Sequence, residues 1–320
     1  MRLLLLVLGL GVVAFLVWHA GVRVVVGMLM RIGWRFPAVI GIYTVYVAIR
    51  AVALWRTMIG GVLRYTDVLR IRLSGDALEM LTFTGPFLAE PAKGWLLEGR
   101  GVPTAAAFAA VITEYLIYTV ISACLGILAL SILLARHALP LAVRPGAVAV
   151  IALMIAFLAA FAFAAVTGIG LIVPTLRASG AVIGRRRADG AADEFERIED
   201  LIIRFLHGHR ARLAQVLALD SAAHMLLVVE IWVVIAALGF SRSWANSIIV
   251  EGGVKFVAIA FAFVPGQFGA SEGVYALLAE AIGLSTAAGL SLALVRRLRG
   301  LLVAAVGVSM QTAARTKRCE

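Results

Sequence analysis

The sequence predicts an all-α fold: a polytopic transmembrane helical bundle with two broken or re-entrant helix repeats. Three observations carry the fold class. Of 320 residues, 62 % are hydrophobic and 15 % charged, with a mean hydropathy of +1.02; a water-soluble domain has too little interior to hide that surface. The apolar runs are long and do not alternate in ten-residue segments, which excludes a transmembrane β-barrel. The formal charge of +11 gathers between the runs, as in loops that face anionic lipid. No module for nucleic acid accompanies that charge, so no nucleic-acid partner is expected.

The runs fall at residues 3–20, 37–55, 73–97, 105–135, 146–176, 213–240, 244–264, 272–283 and 286–312. The first could be a signal peptide, but no small-residue cleavage site follows, and Trp18 and Arg23 suit an interface; an uncleaved span is expected. Trp34, Trp55 and Trp244 also sit at run ends. The third run is interrupted by "TGPFLAEPAKG", and the eighth is too short to cross alone. Residues 177–212 form the one long polar stretch, with eight arginines; with the basic tail "ARTKRCE" they predict a cytoplasmic loop and C-terminus. Within it Phe195, Ile198, Leu201, Ile202 and Phe205 recur at helical spacing, an amphipathic helix lying on the membrane or on the spans. The 1–320 chain is thus one membrane domain.

Shifting the chain by 182 residues lays "EPAKGWLLEGRGVPTAA" (90–106) over "EGVYALLAEAIGLSTAA" (272–288), with seven identities in 17 positions. Glu90 falls on Glu272, Glu98 on Glu280, Gly101 on Gly283 and Thr104 on Thr286. Each copy follows a Pro/Gly interruption, "TGPF" or "VPGQFG", so an internal repeat over 84–116 and 264–298 is expected. Paired broken helices are the sequence pointer to a transporter's binding site. Pro265, Gly266 and Gly269 would leave backbone groups unpaired at membrane depth, tolerated only in protein or beside a wet cavity. Ser271 and Glu272 then either cap the next helix or help form a site for an anionic headgroup.

Charges inside apolar runs are costly and functional or paired. Arg50, Lys93, Glu114, Asp220, His224, Glu230, Lys255, Arg296 and Arg297 join Glu90 and Glu272 in that class. Asp220 and His224 are four apart, able to pair with each other or to snorkel. Lys93 shares a face with Glu90. Glu114 falls on Arg296 under the same shift, which predicts a salt bridge across the repeat; the rival is that Arg296, Arg297 and Arg299 mark a cytoplasmic turn. The primary lipid-binding or transport candidates are Glu90, Lys93, Glu114, Pro265, Gly266, Gly269, Ser271, Glu272 and Arg296; Asp220, His224 and Lys255 are secondary. No HExxH, GxSxG, phosphate loop or Cys/His cluster occurs, so no enzyme, cofactor or metal is expected, though paired carboxylates can do acid–base work.

These residues carry a resemblance. The chain resembles the transmembrane region of lysylphosphatidylglycerol synthases, the flippase-like membrane family, over nearly its whole length. "VPGQFGASEG" is similar to the family's Pro-x-x-x-Gly-x-x-Glu break through Pro265, Gly269 and Glu272. "LAEPAKGWLL" is similar to its Gly-Glu-x-x-Arg segment through Glu90, with Ala89 and Lys93 replacing the usual Gly and Arg. The resemblance implies movement of an amphiphilic lipid (phospholipid, hopanoid or polyprenyl lipid) between leaflets of a bacterial inner membrane. The chain ends at Glu320 without an aminoacyltransferase domain, so synthase activity is not expected, and the wording is most similar to hopanoid-associated stand-alone members. The alternatives are an accessory protein that assembles lipid-biosynthesis enzymes through its loop helix, and an intramembrane enzyme using paired carboxylates.

Overall fold

At membrane depth the backbone has no water to bond, so it satisfies itself within helices, and every regular element among the described residues is helical. The computed structural model describes residues 18, 22–59, 63–81, 86–137, 144–170, 172–178, 185–260 and 269–319. In order these are α1 (Val22–Ile32), a 3-10 turn (Gly33–Arg35), α2 (Phe36–Thr57), α3 (Tyr65–Leu81), α4 (Pro86–Glu98), α5 (Thr104–Arg136) and α6 (Arg144–Thr167). There follow α7 (Ile172–Ala178), α8 (Arg185–Gly208), α9 (Arg210–Ala237), α10 (Trp244–Ala260), α11 (Ala270–Ala281) and α12 (Thr286–Cys319). Among the described residues four stretches are long and apolar enough to cross a membrane: Val22–Thr57, Thr104–Arg136, Arg144–Thr167 and Arg210–Ala237. The chain is a multi-pass helical membrane protein.

The expected span 3–20 lies outside the described residues apart from Trp18. The run 73–97 is two helices instead of one interrupted span: α3 begins at Tyr65 and α4 at Pro86. The break expected over 84–94 is corrected from residue 86 onward, because residues 86–98 are continuous helix; residues 84 and 85 lie outside the described residues. Pro86 takes the first helical position, where a missing N–H costs nothing, and Pro91 removes a single bond just past the first turn. The second expected break, 264–273, ends by Gly269, since α11 starts at Ala270; Pro265 and Gly266 lie outside the described residues. The loop 177–212 is largely helix. Ile202, Phe205 and Leu206 of α8 are buried in one apolar cluster with Ile117 of α5 and Val216 of α9, so the amphipathic face packs on the spans.

The packing has a regular pattern. Helices α2 and α9 run antiparallel along each other: Arg212 donates to the Met58 carbonyl at 3.3 Å, Arg50 lies 3.6 Å from Asp220, and Arg31 donates to the Leu238 carbonyl at 3.4 Å. On either side of this pair α5 crosses α10, and α3 crosses α12. Small residues permit both crossings. A Cβ at Gly252 would sit 2.6 Å from the Leu125 carbonyl, and one at Gly307 would meet the Leu73 carbonyl at 2.5 Å.

Two helical hairpins, α4–α5 and α11–α12, are closed by matching turns. Gly101 N–H bonds the Glu98 carbonyl and Val102 N–H the Leu97 carbonyl; Gly283 N–H bonds Glu280 and Leu284 N–H bonds Ala279. The glycines have φ of 89° and 79°, a left-handed conformation that strains other side chains. Thr104 donates to Glu98 Oε1 at 2.7 Å, and Thr286 donates to Glu280 Oε1. Each bond recurs 182 positions later. The α11–α12 hairpin is the tighter, because a Cβ at Gly289 would overlap the Tyr275 carbonyl.

That contact makes a contrast that can be measured. Gly289→Ala should destabilise the protein in detergent by about 1–3 kcal/mol, the usual cost of overpacking. Gly273→Ala, on the same hairpin but with nothing within 4 Å of the added carbon, should be neutral or stabilise by about 0.5–1 kcal/mol. Thermal unfolding of the two variants side by side checks this.

Candidate functional site

Between the two groups of helices lies a cavity of about 260 Å³ lined by ionisable and hydroxyl side chains. Each helix contributes a stripe at helical spacing. Tyr43, Tyr46 and Arg50 come from α2; Arg72, Asp76 and Glu79 from α3; Tyr115, Tyr118 and Ser122 from α5; Glu251, Val254 and Lys255 from α10. Glu90 of α4, Tyr275 of α11 and Arg296 of α12 complete the wall. Residues three and four apart share a helix face, which is why otherwise apolar helices present one polar side here. A larger open groove of about 750 Å³ lies between α8 and the start of α5, with Arg197, Asp200 and Arg204 on its rim. Those charges are exposed to solvent, whereas Arg50, Arg72, Asp76 and Glu251 of the inner cavity are buried.

Two ion-pair knots brace the cavity. In the first, Arg50 Nε donates to Glu114 Oε1 at 2.9 Å, reinforced by its Nη2, and Arg72 Nη1 donates to the same carboxylate at 3.3 Å. Arg72 also pairs with Asp76 at 3.1 Å. The Arg50 guanidinium lies over the Tyr118 ring, 3.5 Å from its centroid, a cation–π contact. In the second, Arg296 Nη1 donates to Glu251 Oε2 at 2.6 Å and to the Tyr275 hydroxyl at 2.5 Å. Lys255 pairs with Glu251 at 2.8 Å and donates to the Tyr118 hydroxyl at 3.0 Å. Behind it Arg299 pairs with Glu230 at 2.5 Å and lies 3.8 Å over the Tyr43 ring. Breaking one partner of such a buried pair strands the other at a cost of several kcal/mol.

Of the residues singled out in the sequence, Arg50, Glu90, Lys255 and Arg296 line the cavity. Lys93 lies behind Glu90, 1 % exposed, and donates to its Oε1 at 2.6 Å; Gly75 leaves room for its stem. Glu114 is buried behind Arg50. The expected Glu114–Arg296 bridge is corrected: each pairs within its own knot, because α5 packs on α10 while α12 packs on α3. The rival reading fails too, since Arg296 and Arg299 sit well inside α12 in buried pairs. Asp220 and His224 are buried rather than snorkelling. They do not pair through their side chains: His224 Nδ1 bonds the Asp220 main-chain oxygen, and Nε2 meets Ser122 Oγ, each at 2.8 Å.

Gly269, Ser271 and Glu272 form a separate cluster outside the cavity wall. Glu272, 1 % exposed, accepts from the Gly269 N–H at 2.8 Å and the Ser271 hydroxyl at 2.9 Å. Arg297 Nε donates to its other oxygen at 2.8 Å. Gly269 has φ 81°, so the chain enters α11 from a left-handed residue while Glu272 closes the end. Sequence reasoning missed Arg72, Asp76, Glu79, Glu251 and the tyrosines. A signal was present: residues 72, 76 and 79 share one face, as do 43, 46 and 50.

The Glu272 cluster yields a stability prediction. Glu272→Gln removes a buried charge pair and weakens the cap, so unfolding in detergent should cost about 3 kcal/mol less than for the unaltered protein. Adding Arg297→Gln should restore part of the loss, because no cation is then stranded. A double variant as unstable as the sum of the singles would show that the pair is uncoupled.

The model of the lysylphosphatidylglycerol synthase TM region matches residues 2–307. Comparison with curated proteins and with solved structures found no match. The family match extends over both hairpins, both ion-pair knots and the cavity between them, and on that extent the chain belongs to the lysylphosphatidylglycerol synthase TM region family.

Proposed function

We propose that the protein moves an amphiphilic lipid between the leaflets of a bacterial inner membrane, with the headgroup passing through the polar cavity and the hydrocarbon part remaining in the bilayer. One observation carries the reading: four cations (Arg50, Arg72, Lys255, Arg296) and four acids (Asp76, Glu79, Glu90, Glu251) converge on a 260 Å³ cavity among membrane-spanning helices. Charges at membrane depth mark substrate pathways. At roughly 30 Å³ per water the volume equals about nine waters, headgroup size and too small for acyl chains. Phospholipid, hopanoid and polyprenyl lipids all fit that division of labour. The 177–212 segment and the C-terminus would face the cytoplasm under the positive-inside rule.

The helices also support an inverted repeat, α2–α5 against α9–α12. The α2–α9 pair is antiparallel, the crossings exchange under the 182-residue offset, and the hairpin turns share their bonds. Two halves related by an axis in the membrane plane are a common transporter plan, with the site at their junction. In this reading the junction is the cavity.

Purified protein in liposomes should transfer a fluorescent phospholipid between leaflets without ATP or a partner protein and without forming a new product. Glu90→Gln keeps size while removing charge from the wall, and it strands the buried Lys93; transfer should fall by tenfold or more, and adding Lys93→Gln should recover thermal stability but not transfer. Transfer unchanged in Glu90→Gln and in Lys255→Gln would remove the cavity from the path. Product formation would turn the reading to an enzyme.

A further inference from the structure

Two of the buried acids, Asp220 and Glu230, are 0 % exposed with neither carboxylate oxygen hydrogen-bonded. Glu230 has Arg299 at 2.5 Å; Asp220 has no cation so close. Its nearest cation is Arg50, with Nε 3.6 Å from Oδ1. That guanidinium is committed elsewhere: Nε and Nη2 go to Glu114, and Nη1 donates to the Tyr46 hydroxyl at 3.3 Å. Arg72 is committed to Glu114 and Asp76.

We propose that Asp220 is a proton-binding site at the seam between α2 and α9, protonated in the arrangement described here, whose ionisation draws Arg50 away from Glu114. The charges that face it are Arg50 from α2, Glu114 from α5 and, beyond Glu114, Arg72 from α3. On its own helix His224 is turned aside, bonded to the Asp220 main-chain oxygen and to Ser122. From α10, Glu251 and Lys255 lie toward His224 and are occupied with Arg296 and Tyr118. Counting the cluster, Arg50 and Arg72 bring two positive charges, while Asp76, Glu114 and an ionised Asp220 bring three negative ones. With the proton on Asp220 the cluster is neutral.

The physical asymmetry is simple. A buried carboxylate with no donor is a costly species, whereas the neutral acid loses far less on burial. Releasing the proton leaves a full charge 3.6 Å from Arg50 Nε, in direct competition with Glu114. Arg50 forms part of the cavity wall and of the α2–α9 packing. Its shift therefore alters the cavity and the junction of the two halves together. No redox partner or other reactant is needed, since the step is the gain or loss of one proton by one carboxyl group. The link from this proton to lipid movement rests on the transfer reading above; the protonation itself does not.

Infrared spectroscopy of the full chain in lipid nanodiscs tests the site. Near neutral pH, where ordinary aspartates with pKa about 3.9 are ionised, the protein should show the carbonyl stretch of an un-ionised acid. The band should shift on labelling with isotope-substituted aspartate, persist in Asp76→Asn and vanish in Asp220→Asn. Absence of any aspartate-sensitive band in labelled, unaltered protein overturns the proposal, and this measurement needs no variant to fold. A band lost in Asp76→Asn and kept in Asp220→Asn overturns it as well. In liposomes a pH gradient should change lipid transfer several-fold in the unaltered protein and have no effect in Asp220→Asn. A band with the stated behaviour but gradient-insensitive transfer would overturn the coupling. The same band with no transfer under any condition would support the proton site and defeat the transfer reading instead.

Discussion

Every ionic group at membrane depth must find a partner there, and the arrangement of the helices follows from that constraint. An unpaired charge near the middle of a membrane helix costs about 2.5–3.5 kcal/mol on insertion scales, and here charges come from helices far apart in sequence. Glu114 on α5 accepts from Arg50 on α2 and from Arg72 on α3, so one carboxylate fixes three helices. Glu251 on α10 binds Arg296 on α12, and Glu230 on α9 binds Arg299 on α12. Arg299 reaches back over Tyr43 of α2. The apolar side chains are interchangeable with lipid tails and give little directional information. The ion pairs supply it.

The same constraint explains why matching halves carry unlike charges. Glu114 and Arg296 occupy equivalent positions under the 182-residue offset, and a symmetric pairing across the axis is the simplest guess. Antiparallel packing of α2 on α9 puts α5 against α10 and α12 against α3. Equivalent residues on α5 and α12 are thereby held apart, and each takes its counter-charge from its own group of helices. Arg296 finds Glu251 on α11's neighbour α10, while Glu114 finds Arg72 on α3, the predecessor of its own hairpin, and Arg50. A shared scaffold therefore tolerates opposite charge at one position because pairing is local to each knot.

The legible parts of the sequence were those in which one residue type does one physical job. Long apolar runs gave α2 and α5 nearly to the residue and α9 shifted by three, while the run 146–176 continued past α6 into α7; the Thr104 and Thr286 alignment marked both helix starts. Phe205 and Ile202 announced the buried face of α8. The polar α3 was misjudged, because its charges depress hydropathy and the 73–97 window placed its first half outside the membrane. The "TGPFLAEPAKG" stretch was read as a break, yet Pro86 takes the first helical position, where a proline breaks little. Glu90 was found as a scarce acid, but the tyrosines were not: a Tyr in an apolar helix reads the same at a lipid interface as at a cavity, and only three-dimensional convergence separates the two.

Because the wall is drawn from both sets of helices, the cavity cannot keep its shape if one set moves against the other. Tyr46, Arg50, Arg72 and Tyr118 belong to α2–α5, while Glu251, Lys255, Tyr275 and Arg296 belong to α10–α12. The links between them inside the cavity are thin: Lys255 to the Tyr118 hydroxyl at 3.0 Å, and its ammonium 5.2 Å from the same ring. The links within each set are charge-assisted and short. Inside the cavity the charge-assisted knots thus lie within each half and the halves meet through the Lys255–Tyr118 bond, whereas outside it they pack closely, α2 on α9, α5 on α10 and α3 on α12. On the proposed transfer reading, a headgroup that replaces the Lys255–Tyr118 bond with its own contacts would shift the balance between two arrangements at that single bond.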